Sequence, residues 1–117
     1  MALENIRQWE GSEVVDPDQA RIGKLKDVYF DAETDAPLFV TVHTGLLGRH
    51  LTFVPTDKAS LGHGYLQVAR YKAEVSNAPQ IQPGGELSPT EEERVFKYYG
   101  LDYQPAATES GRRLVRR

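Results

Sequence analysis

Hydrophobic positions along the chain fall into two patterns. From residue 12 to residue 77, short runs rich in Val, Ile, Tyr, Phe and Thr alternate with clusters of Gly, Asp and Pro, the signature of brief strands between turns. From residue 88 the spacing becomes that of a helix. The first strand-like run is Glu13-Val14-Val15-Asp16. DPDQARIG follows, full of turn formers and ending at Gly23, where the pattern predicts a positive φ or a close backbone approach. KLKDVYFD predicts the next strand through Val28, Tyr29 and Phe30, and DAETDAP predicts the loop after it.

PLFVTVHTGLLGRHLTFVP reads as a hairpin whose turn is bracketed by Gly45 and Gly48. The expected register pairs Val42 with Leu51, Val40 with Phe53, Thr41 with Thr52 and His43 with His50, so that one face is apolar and the other polar. Tyr65–Ala69 predicts a further short strand, and the expected core holds Val28, Val40, Val42, Leu51, Phe53 and Val68. Ser88-Pro89-Thr90-Glu91 is a capping box that starts a helix, with Glu91, Glu92 and Glu93 at its positive end. Gly100 should end that helix in the left-handed conformation, with Leu101 folding back on Phe96. Val95, Phe96 and Tyr99 form a stripe for docking. The fold expected is mainly β: a small barrel of about six strands with a C-terminal α-helix packed on it.

At 117 residues the chain has the length of one domain. The expected division is a lead-in segment over 1–11, a domain with its helix over 12–103, and a flexible basic tail over 104–117. Arg112, Arg113, Arg116 and Arg117 against Glu109 give that tail +3, so a chain of net charge −3 has a body of −6. An acidic body argues against a nucleic-acid partner, which needs a positive field. The tail reads as solvated, and deleting residues 105–117 is expected to leave stability nearly unchanged. The absence of cysteine excludes disulfide frameworks, thiolate metal sites and cysteine nucleophiles, and fits a cytoplasmic location. Apolar runs such as Pro37–Val40 are too short to insert in a membrane, and the N-terminus has no signal-peptide pattern.

Candidate chemistry is sparse. The expected hairpin register makes His43 and His50 cross-strand neighbours, two potential metal ligands with His63 or Asp57 as a third; the competing reading is a polar sheet face. No G-x-S-x-G elbow or phosphate-binding loop occurs, and the carboxylates lie where turns and a helix cap account for them. No catalytic residue, cofactor or metal is therefore assigned, and the chain is read as a non-enzyme. Trp9, Phe39, Tyr65 and Tyr103 exceed the aromatics that one small core and one helix seam require. They are the candidates for contact with a protein partner or with a second copy in a homo-oligomer.

Taken in order, Gly23-Lys24-Leu25-Lys26-Asp27-Val28-Tyr29-Phe30-Asp31, Val42-His43-Thr44-Gly45-Leu46-Leu47-Gly48, Phe53-Val54-Pro55, Ala78-Pro79, Leu87-Ser88, Glu91-Glu92-Glu93 and Tyr98-Tyr99-Gly100-Leu101 resemble the PRC-barrel family over about residues 10–103. The resemblance implies a compact barrel of about six strands. Its members include the cytoplasmic domain of the photosynthetic reaction-centre H subunit, the C-terminal domain of a ribosome-maturation factor, and stand-alone bacterial and archaeal proteins. The sequence shows neither the H subunit's membrane helix nor the ribosome factor's N-terminal domain, so the stand-alone class is the expectation. The family's motifs shape turns and core, so no catalytic residue carries over. The expectation is a non-enzymatic interaction module. A ribosome- or RNA-processing-associated factor, a reaction-centre-type accessory protein, and a metal-binding or enzymatic protein using His43 and His50 are the alternatives.

Overall fold

The computed structural model describes residues 8–45, 50–81 and 87–116. The Gly48 half of the expected hairpin turn and the Gly84-Gly85 linker lie outside them. Among the described residues, eight strands and two helices run in the order β1 (Glu13–Val15), β2 (Arg21–Asp31), β3 (Pro37–Thr44), β4 (His50–Pro55), β5 (Ser60–Leu61), β6 (Tyr65–Gln67), α1 (Lys72–Ser76), β7 (Gln80–Ile81), α2 (Pro89–Tyr98) and β8 (Leu114–Arg116).

The eleven-residue β2 is the spine of the sheet. One of its edges pairs antiparallel with β3. The other is shared, with β1 on its first residues and β8 on Tyr29–Asp31. The path β5-β6-β1-β2-β3-β4-β7 is open among the described residues, with β8 as an additional partner of β2. This revises the expected six-strand barrel. The mainly β class stands, but β5, β7 and β8 are two- or three-residue strands, too short for alternation to reveal.

Gly23 is a point of close approach rather than of positive φ: a Cβ there would lie 1.9 Å from the His43 carbonyl oxygen on β3. At the Leu25–Asp27 bulge the Asp27 N–H is recovered by Thr41 Oγ1 at 3.1 Å.

The hairpin forms one residue away from the expected register. Phe39 pairs with Pro55, Val40 with Val54, Thr41 with Phe53, Val42 with Thr52, His43 with Leu51 and Thr44 with His50. The expectation assumed a solvated polar face, and these strands have none in their middle. On one side Val40, Val42 and Val54 join Val14, Leu25, Val28, Leu66 and Val68 in one core cluster. On the other, Phe39 and Phe53 join Tyr29, Val95, Phe96 and Tyr99 in a second. Thr41 and Thr52 are buried as well. When both faces are covered, a one-residue slip exchanges one buried face for the other, and burial no longer selects the register. All six expected core residues are buried, though divided between the faces.

The second cluster exists because α2 docks on the sheet. Its capping box forms as expected, with the Ser88 hydroxyl accepting from Glu91 N–H and the Glu91 carboxylate accepting from Ser88 N–H at 2.9 Å. Gly100 is left-handed at φ 72°, and the Leu101 N–H returns to the Phe96 carbonyl at 2.9 Å. Phe96 packs edge-on against Phe39 at 5.1 Å between ring centroids.

Residues 104–116 are not a mobile tail. The chain turns back through Gly111 (φ 75°) and adds β8 to the sheet, with Tyr29 opposite Arg116, Phe30 opposite Val115 and Asp31 opposite Leu114. Leu114 is buried in the second cluster. So α2 is not the last element, and the basic character of the segment does not keep it in solvent.

Candidate interaction surface

The most built feature outside the two cores is the slot that receives β8. Glu92 lies on the same α2 face as Val95, Phe96 and Tyr99 and is 0% exposed. A carboxylate buried so far is tolerated only if its oxygens are fully hydrogen-bonded. Arg113 N–H donates to both oxygens at 2.9 and 3.0 Å, Leu114 N–H to one at 2.8 Å, and the Tyr103 hydroxyl to the other at 2.6 Å. Burial, with the carboxylate beside it, pushes the Tyr103 phenol above its ordinary value. Glu92 thus grips two successive backbone amides of the returning segment.

The second clamp is ionic. The Arg113 guanidinium places Nη1 3.0 and 2.8 Å from the two Asp31 oxygens, and Nη2 pairs with Glu33. Burial alone would raise the Asp31 carboxyl. The N–H groups of Glu33 and Thr34 and the Arg113 charge outweigh it and hold the group below the usual carboxylate range. The Ala32 N–H completes the slot by donating to the Arg113 carbonyl at 2.7 Å. Asp16 does comparable work elsewhere. Its buried carboxylate accepts from Asp18 N–H and Ala20 N–H in its own turn and from Lys72 N–H at the start of α1. These bonds overcome the desolvation that would raise its pKa, and the net shift is downward.

The candidates read from the sequence scatter. His43 and His50 are not cross-strand partners: His43 shares its face with Leu51 and Thr41, whereas His50 stands opposite Thr44 on the other face. The one-residue change of register separates the imidazoles, and no group of three or more potential metal ligands occurs among the described residues. Phe39 is 0% exposed and belongs to the second core, so it is withdrawn as a contact residue. Tyr103 is half-buried, committed to Glu92 and stacked edge-on against Phe96. Trp9 and Tyr65 are half-buried as well, at separate places: the Trp9 carbonyl accepts from Ser12 N–H, and the Tyr65 ring lies over Gly62. Among the described residues, the large hydrophobic most open to solvent is one the sequence reading passed over, Tyr71, at 53%.

Two clefts flank the docked helix and strand. One, of about 410 Å³, is lined by Leu38, Phe39, Pro55, Phe96 and Leu101 together with Asp57, Lys58 and Asp102. The other, of about 270 Å³, lies along β8 between Tyr29, Leu87, Leu114 and the arginines Arg112 and Arg116. Sequence reasoning missed the Glu92 slot. The available signal was a carboxylate in register with the apolar stripe of its helix, three and four residues before Val95 and Phe96.

No helix among the described residues is long and apolar enough to cross a membrane. A search of curated proteins finds no match to this chain. The PRC-barrel domain model matches residues 1–75, the stretch that carries β1 to β6 and most of α1, and the chain belongs to the PRC-barrel family.

Proposed function

We propose that the chain is a non-catalytic interaction module that binds a protein partner or associates with itself, working in the cytoplasm. The observation that carries this reading is the use made of the buried acids. Asp16, Asp31 and Glu92, the groups an active site would hold poised for proton transfer, each bond the protein's own backbone. PRC-barrel domains mediate protein interactions, which supports the same reading. The RNA-associated alternative needs a basic stripe, and the basic segment supplies none from Arg113, held by Asp31 and Glu33, while Arg116 lies 3.6 Å from Asp27. Light scattering over a concentration series tests self-association, with a mass rising from 13.1 kDa as the expected result. A constant monomer mass leaves a heterologous partner. That form is tested by cross-linking the tagged chain in extract of its native cell and identifying a protein that a Glu92→Ala variant fails to capture. Failure of both measurements overturns the proposal.

A further inference from the structure

We infer that residues 113–116 form an exchangeable strand, and that the slot between β2 and Glu92 accepts this segment from a second copy of the chain. The inference deepens the self-association reading above and rests on it. The slot recognises a backbone and one side chain. It offers the Glu92 carboxylate to two successive amides, the Ala32 N–H to a carbonyl, a three-residue ladder on β2, and the Asp31 carboxylate to an arginine fork. Nothing in that set distinguishes the segment of the same chain from that of a neighbour.

The connection permits the exchange. Ala106 N–H donates to the Gly111 carbonyl, Gly111 N–H to the Thr108 carbonyl, and the Thr108 hydroxyl to the Arg112 carbonyl. These bonds lie within the loop, so it can open without breaking a strand pair. Fully extended, the stretch from Tyr103 to Arg113 spans up to about 33 Å, comparable to the 38 × 29 × 25 Å extents of the molecule. An emptied slot is costly, because Glu92 keeps the Tyr103 hydroxyl but loses both amide donors. Once a segment leaves, the one available from another copy has the same chemistry. The exchange is therefore mutual and yields a two-fold pair. The bonds made in the slot are the same within one chain and between two, whereas opening the loop gives up its internal bonds and the one from Arg113 Nε to the Gln104 carbonyl, so concentration and loop geometry decide between the forms.

The test uses the full chain carrying Arg113→Lys, which keeps the charge and supplies an amine. Equal amounts of unlabelled and ¹⁵N-labelled protein are mixed at high concentration, and monomer and dimer are separated by size. Carbodiimide then joins the introduced amine to Asp31 or Glu33. The expected result is a dimer fraction whose cross-linked peptides include the statistical share of mixed labelled and unlabelled pairs. A dimer containing only same-label links overturns strand exchange while leaving self-association in place. Monomer at every concentration overturns both. Wild-type protein provides a control on the substitution: isotope-filtered contacts between Phe30 of one copy and Val115 of another are expected in the dimer, and a dimer without them overturns the proposal.

Discussion

Glu92 shows how one side chain can set the course of a chain segment. Its neighbours Glu91 and Glu93 sit at the start of the same helix, one closing the capping box and the other paired with Lys97. Only Glu92 faces the sheet, and its burial is offset by donors that all come from residues 103–114. Glu92→Ala would leave two amides and a phenol without an acceptor. We expect a loss of about 2–4 kcal/mol in urea unfolding, with faster amide exchange at Arg113 and Leu114 before the rest of the sheet. Asp31 and Asp16 make stability depend on pH. Their folded pKa values lie below the ordinary 3.8, so their contribution is in place above that value and is lost as pH falls through the folded ones. Acid should therefore lower the melting temperature below about pH 4. Asp31→Asn should flatten that fall, and thermal melts of the two proteins at neutral and acid pH would measure it. An unchanged acid slope would show that Asp31 is not coupled to folding.

At the scale of elements, α2 and the β3–β4 hairpin illustrate opposite degrees of local determination. The helix is specified by its own residues. Ser88 caps it, Pro89 fits its first turn, Gly100 ends it, and Leu101 packs beside Phe96 in the second cluster. Ser88→Ala should cost about 1 kcal/mol, measurable by chemical unfolding, and the fold should persist because the docked Phe96 and Tyr99 are untouched. The hairpin depends on what lies over it. Its alternation of Val with Phe or Thr looks like an inside and an outside, and α2 turns the outside into a second interior. The pairing of His43 with His50 follows from the expected register alone, and it disappears with that register.

For the whole molecule, the chain is bound together by its C-terminal return. Residues 113–116 extend the strand pairing of β2 where β1 leaves off and close over α2 through Glu92 and Leu114. Removing residues 105–117, which by composition alone would be harmless, should lower the melting temperature by roughly 10 °C. It takes away a buried leucine and strips Glu92 of its amide donors. A truncated chain melting with the full-length protein would show that the slot adds nothing to stability. What the sequence by itself determined were the features written in neighbouring residues: the strand segments between turns, the tight spot at Gly23, both ends of α2 and its apolar stripe. Those follow from backbone sterics and local hydrogen bonds, which need only a few adjacent side chains. Tertiary structure alone decided the hairpin register, the second core, the separation of the two histidines and the docking of a segment that reads as a solvated tail. Each depends on a surface supplied by residues far along the chain. A solvent-like composition becomes strand or core when such a surface offers a buried carboxylate to its amides and acids to its arginine.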